Sequence, residues 1–218
     1  MFGTIGVTMT DTTQQAFDYR LRIASIEPAF EGFFRIDRVR FQHQLFQGGW
    51  SPELVRELFG RGQAVLVLLY DCEARQVVLV EQCRAGALMH ARYQNNQAWL
   101  LEPVAGMIDP DESAQQACAR ETQEEAGIVV QDFEYVCQFY PSPGGSDEIL
   151  HLYAAEISVS ELPAFAGADE EHEDIRLVPL SFDEAENRLR GGRFNVASTI
   201  VALQWLFFQR LTEPASRL

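Results

Sequence analysis

Positive charge is scarce in this chain. Its 17 Lys and Arg stand against 32 Asp and Glu, a formal net charge of −15. Nonspecific nucleic-acid binding and binding to anionic membranes both need cationic patches, so neither is expected. A small anionic substrate is still compatible, but local arginines or metal ions must meet it. Most of the acidic surface simply keeps the protein soluble. Cysteine is also scarce. Cys72, Cys83, Cys118 and Cys137 form no CxxC pair, and no histidine spacing suggests a zinc site. They read as small core or surface thiols in a reducing compartment. No apolar run is long enough to span a bilayer. Met1–Thr13 lacks both the basic residue and the apolar stretch of a signal peptide. A cytoplasmic protein is expected.

What is present is ordinary for a globular protein: 218 residues, 47% hydrophobic and 22% charged. A chain of this length buries roughly 70% of its unfolded surface and needs no staples. Residues 1–15 lack periodicity and are expected to form a mobile tail. Residues 16–60 read as a small antiparallel β subdomain, and residues 61–212 as the main domain. Val39, Phe41, His43 and Leu45 alternate with Arg40, Gln42 and Gln44, the period of a strand with one solvated face. Ser51 to Gly60 reads as one or two helical turns. Ala64–Tyr70 and Gln76–Glu81 read as a hairpin, Met89 to Gln97 as a polar loop, and Trp99 to Val104 as a strand stopped by Ala105-Gly106. Strands near 133–140 and 149–156 flank a Pro/Gly-rich loop at 141–145, and an acidic loop occupies 167–174. A strand at 175–180, a helix capped by Ser181, and a last helix near 196–211 follow.

The strongest helix signal lies between these strands. Ser113 is a good N-cap, Gln116 completes a capping box, and Gly127 fits the C-cap. On that helix Glu121, Glu124 and Glu125 span about 100° of one face. Like charges so placed cost a few tenths of a kcal/mol per pair. Yet residues 107–125 offer one cation, Arg120. A bare cluster of this kind is more often a solvated acidic face. If it is compensated instead, a divalent ion does so, and carboxylate-only ligation selects Mg²⁺ or Mn²⁺, the ions that bind substrate phosphates.

The wider pattern decides between these. Gly106, five residues, Glu112, seven residues, then Arg120-Glu121-Thr122-Gln123-Glu124-Glu125-Ala126-Gly127-Ile128 resembles the Nudix box, GX5EX7REUXEEXGU with U a bulky aliphatic. The departure is Thr122, whose methyl can still pack. The resemblance implies an α/β/α sandwich with a mixed sheet, plus the small N-terminal antiparallel β subdomain. It also implies hydrolysis of a nucleoside diphosphate linked to a further group. It makes Glu121 and Glu125 the main metal ligands, Glu124 a ligand or catalytic neighbour, and the Ala105 carbonyl a frequent additional ligand. Arg120 would orient the carboxylates, and Glu112 would fix the loop.

Further stretches resemble the bacterial ADP-ribose pyrophosphatase subfamily: Gly32-Phe33-Phe34, Arg61-Gly62, Val80-Glu81-Gln82-Cys83-Arg84, Glu102-Pro103-Val104-Ala105-Gly106-Met107, Ser142-Pro143-Gly144-Gly145 and Glu173-Asp174-Ile175. Pro141 and Pro143 fall where ADP-ribose enzymes of the family carry a marker proline. By this resemblance Glu171 in the acidic loop is the catalytic base and Glu173 binds metal. Phe33 or Phe34 contacts adenine, Arg56, Arg61 and Arg84 lie near phosphate or ribose, and Met107, Ser142 and Glu148 line the site. A homodimer built through the N-terminal strands is implied as well. The expected reaction is Mg²⁺-dependent hydrolysis of ADP-ribose, with Mn²⁺ possible. The alternatives are another nucleotide sugar, GDP-mannose or UDP-glucose, or a nucleotide sensor without activity.

Overall fold

The computed structural model describes residues 20–94, 98–168 and 172–212. The tail assigned to 1–15 lies outside them, as does Glu171. The chain divides into two compact units, Met1–Phe59 and Gly60–Leu218.

The first unit is a sheet of β1 (Leu21–Glu31), β2 (Arg35–His43) and β3 (Leu54–Gly60) in that order. β1 pairs antiparallel with β2. The cross-strand ion pair Arg38–Glu57 links β2 and β3, and Arg40 reaches Glu53 just before β3. The segment 51–60 is therefore strand where one or two helical turns were expected. Its apolar residues Leu54, Val55, Leu58 and Phe59 suit a helical spacing as well as a strand, and pairing with β2 decides.

The second unit contains β4 (Gln63–Asp71), β5 (Gln76–Cys83), α1 (Ala85–Gln94), β6 (Trp99–Glu102), β7 (Val104–Met107), α2 (Ala114–Ala126), β8 (Glu134–Phe139), β9 (Ile149–Glu156), β10 (Phe165–Ala166), β11 (Ile175–Ser181), α3 (Phe182–Arg190) and α4 (Ala197–Trp205). A π-helical turn, Leu206–Arg210, extends α4. The sheet runs β10-β11-β5-β4-β9-β8, with β6 on β5 and β7 on β4. β4 and β9 are parallel and the other recorded pairs antiparallel, so the sheet is mixed.

β4 is nearly continuous in apolar residues because both of its faces are covered. Val65, Val67 and Leu69 pack beneath Ala117, Cys118 and Ala126 of α2. Leu66, Leu68 and Tyr70 pack against Phe182 and Ala185 of α3 and Ala202, Leu203 and Trp205 of α4. This is the expected α/β/α sandwich. Each large side chain so buried contributes about 1.5–3 kcal/mol.

Two expectations around the middle of the chain need correction. Much of the supposed loop at 89–97 belongs to α1, which carries no amphipathic stripe that the sequence could display. And the strand expected to stop at Ala105-Gly106 instead runs through them, as two strands with different partners. β4 and β5 pair only near their turn, from Leu69↔Val78 to Asp71↔Gln76. They then part, and the chain from Trp99 to Met107 fills the wedge. β6 lies along β5, from Cys83↔Trp99 to Val80↔Glu102, and β7 lies along β4, from Val67↔Val104 to Ala64↔Met107. Pro103 sits at the switch, where its missing N–H lets one ladder end and the other begin. Among the described residues no helix is long and apolar enough to cross a membrane.

Candidate active site

The site forms where α2 crosses this wedge. Ser113 accepts a hydrogen bond from the Gln116 amide, and the Gln116 side chain accepts from the Ser113 amide, so the helix start is set on both sides. Gly127 closes the helix in the left-handed conformation, φ 70°, which an L side chain adopts only at a cost. With both ends fixed, Glu121, Glu124 and Glu125 have defined positions over β5 and β7.

Arg120 organises the outer part of the cluster. It donates to Glu112 through Nη2 at 2.6 Å and Nε at 3.2 Å, a bidentate pair. It also reaches Glu121 Oε1 at 2.6 Å, Glu124 Oε2 at 3.1 Å and the Met107 carbonyl at 2.9 Å. The guanidinium holds the Glu112 carboxyl below its ordinary range, and Glu112 also accepts from the Asp109 amide at 3.0 Å. Glu112 thus ties the loop before α2 to the helix.

Glu125 is 1% exposed. Its Oε2 accepts from the Ala105 amide at 2.9 Å and its Oε1 from the Gln82 side chain at 3.0 Å. Burial pushes its carboxyl up to about 8, against the lowering effects of Ala105, Arg84 and Gln82. Burial likewise raises Glu121 to about 7, opposed by Arg120 and reinforced by Glu124 and Glu173.

The box glycine has a steric reason. A Cβ on Gly106 would stand 1.6 Å from Glu121 Oε1, so only glycine admits that carboxylate against β7. Glu173 enters from the acidic loop, and its charge acts on both Glu121 and Glu125. The loop is anchored to α2 by the Gly167 amide, which donates to the Glu124 carbonyl at 3.0 Å. Arg84 faces the same charges and is paired with Glu102 at 2.6 Å.

The fold therefore brings together Ala105, Glu121, Glu124, Glu125, Glu173 and Arg84. Among the described residues no three His, Cys, Asp or Glu side chains already converge into a ligand set for one ion. The donor set nevertheless fits a hard divalent cation. It offers two carboxylates that burial makes costly to ionise, Glu121 and Glu125, with the cradle at Gly106 holding Glu121 against the sheet.

The remaining expected residues fall in three places. Arg61 and Glu148 are paired with each other at 3.1 Å, and Asp147 holds the Arg61 amide at 2.6 Å. Met107, at the start of the same sheet end, is 43% exposed and offers its carbonyl to Arg120. Ser142 is exposed in a turn, its carbonyl accepting from Gly145 and Ser146. Phe33, Phe34 and Arg56 belong to the N-terminal unit. Phe33 is 91% exposed, Phe34 makes edge-to-face contacts with Phe33 and Phe59, and Arg56 donates to the Val55 carbonyl. Two residues that sequence reasoning did not single out are Gln82 and Glu102. Gln82 was visible as a polar residue continuing the alternate apolar row Val78, Val80. Thr122, the departure from the box, is fully buried and its hydroxyl has no partner.

Comparison with known proteins adds the following. The NUDIX domain profile matches residues 60–196. The chain is 36% identical over 186 residues to an ADP-ribose pyrophosphatase of Haemophilus influenzae, covering 85% of each. It is 38% identical over 187 residues to an ADP-ribose pyrophosphatase of Escherichia coli, covering 85% of this chain and 87% of that one. A GDP-mannose pyrophosphatase of Cronobacter sakazakii is 37% identical over 152 residues, 69% of this chain and 76% of that one. Among solved structures, an ADP compounds hydrolase superposes with a TM-score of 0.63 at 22% identity, covering 87% of this chain and 96% of that one, which shows a shared fold.

Proposed function

Because this chain belongs to the NUDIX hydrolase family, we propose that it hydrolyses the diphosphate of ADP-ribose to AMP and ribose 5-phosphate, with Mg²⁺ as its cation and Mn²⁺ as a substitute. The observation that carries this reading is the intact set Glu121, Glu124 and Glu125, with Glu121 seated against Gly106, in a chain that matches ADP-ribose pyrophosphatases along 85% of its length. Glu121, Glu125, Glu173 and the Ala105 carbonyl would hold the cation. A divalent ion there supplies positive charge to the diphosphate oxygens.

The chain's own residues do the rest. Arg84 and Arg61 bind the anionic diphosphate and the ribose, each oriented by a carboxylate, Glu102 and Glu148. Arg120 keeps Glu121 and Glu124 in place without touching substrate. Water adds across one P–O bond of the diphosphate. Its proton passes to a base, assigned to Glu171, and Glu124 assists. Met107 and Ser142 complete the contacts of this unit, and the family resemblance assigns Phe33 or Phe34 to adenine and Arg56 to phosphate or ribose.

The N-terminal unit serves as a homodimer contact. Leu21, Ile23, Ile26 and Phe30 of β1 are all more than half exposed, an apolar surface unusual for a sheet meant to face water. Light scattering on the purified chain should give twice the monomer mass.

The 37% identity to a GDP-mannose pyrophosphatase favours one second reading, a different nucleotide sugar. The test is kcat/KM across ADP-ribose, GDP-mannose and UDP-glucose. A clear preference for ADP-ribose is expected. Preference for either of the others would overturn the substrate while keeping the reaction.

A further inference from the structure

Alternate residues of β5 face α2. Val78 and Val80 do so within the apolar cluster beneath the helix. Gln82 continues that row and is 6% exposed. A side-chain amide at a buried, otherwise apolar position is costly unless partnered. Its partner is Glu125, 3.0 Å away. Glu125 is thereby held by two donors, one on each oxygen: the Gln82 amide and the Ala105 backbone N–H.

We propose that Gln82 is a positioning residue for the metal carboxylate of Glu125, presetting that side chain for a divalent cation. The inference rests on the hydrolase reading above. A carboxylate has about four acceptor positions, two per oxygen. The two hydrogen bonds use one on each, leaving one on each for an ion. The terminal torsion of a Glu side chain is otherwise broad and roughly two-fold. The Ala105 donor belongs to the backbone, so Gln82 is the half of the clamp that sequence can change. A neutral donor is suited to this place. An arginine would neutralise Glu125, whereas an amide orients it and leaves its negative charge for the ion.

The test titrates Mn²⁺ into substrate-free protein and reads the free ion by electron paramagnetic resonance, in wild type, Gln82→Met, Glu125→Gln and the double variant. Gln82→Met should weaken Mn²⁺ binding about 10- to 100-fold. The Mg²⁺ concentration for half-maximal ADP-ribose hydrolysis should rise equally, with KM for ADP-ribose unchanged at saturating Mg²⁺. In the Glu125→Gln background, Gln82→Met should add no further loss. A merely structural role would lower the melting temperature without moving Mn²⁺ affinity. Unchanged affinity in Gln82→Met, or a second full-sized loss in the double variant, overturns the assignment. If Gln82→Met does not fold, the Gln82 side-chain NH₂ resonance of the wild type is followed during a Mg²⁺ titration. It should shift with saturation, and a stationary resonance overturns the proposal. Absence of Mn²⁺ binding by the wild type would instead sink the hydrolase reading.

Discussion

Replacing Thr122 by valine should stabilise the protein. Thr122 occupies the box position that otherwise takes an aliphatic residue. It is 0% exposed, and its Oγ1 has no hydrogen-bond partner. A mid-helix threonine can return its hydroxyl to the carbonyl four residues back, but that bond is not made. An unsatisfied buried hydroxyl costs about 1–3 kcal/mol. Valine has nearly the same shape, so no cavity opens, and it ranks with threonine in helix propensity, so that contribution cancels. The net gain should be about 1–2 kcal/mol after partial relaxation around the methyl. For a unit of this size each kcal/mol moves Tm by roughly 2–4 °C, so Tm should rise by roughly 2–8 °C. The assay is thermal unfolding of both proteins in EDTA, followed by circular dichroism. Because Oγ1 makes no hydrogen bond to the glutamates, kcat and KM should not change. A Thr122→Val protein that melts at or below the wild-type temperature would refute the reasoning and show that the hydroxyl is bonded.

Three further outcomes follow from the site. Gly106→Ala forces Glu121 away, since its Cβ would lie 1.6 Å from Oε1. Displacing a catalytic group by about 1 Å costs on the order of a hundredfold, so kcat should fall by about that factor, with full activity counting against the cradle. Glu125→Gln should fold, because Gln82 can turn its amide over and accept where it now donates, yet kcat should drop about a hundredfold or more, beyond the loss typical of outer partners. Turnover near wild type would remove Glu125 from the ligand set. Finally, Glu121 and Glu125 are raised from 4.5 to about 7 and about 8. The folded state then holds protons that the unfolded state has released. Their contribution to the stability of the metal-free protein is fully present below about pH 4.5 and is lost as pH rises toward 8. Melting curves in EDTA should show that fall, and Mg²⁺ should stabilise more at pH 8 than at pH 6, because ligation needs the ionised acids. A metal-free Tm that climbs from pH 5 to pH 8 would contradict the burial of these acids.

Local signals were legible in the sequence and pairing partners were not. α2 was read with its caps because Ser113, Gln116 and Gly127 act within one turn of the helix. The box glutamates were found because their spacing is local too. The 51–60 segment is decided by its partner β2, which no local pattern reveals. α1 presents no periodic apolar face, so it looked like loop. The division of 99–107 between two partners depends on β4 and β5 diverging, a property of the whole sheet. Similarly, Arg61, Arg84 and Glu148 could be named from the resemblance, but their carboxylate and guanidinium partners appear only once the sheet is assembled.

The most direct measurement is hydrolysis of ADP-ribose by the purified chain with Mg²⁺, with and without EDTA, resolving AMP and ribose 5-phosphate by chromatography. Equimolar formation of both products, abolished by EDTA and restored by excess Mg²⁺, is predicted. Undiminished turnover in EDTA, or no cleavage of any nucleotide sugar, would contradict the account.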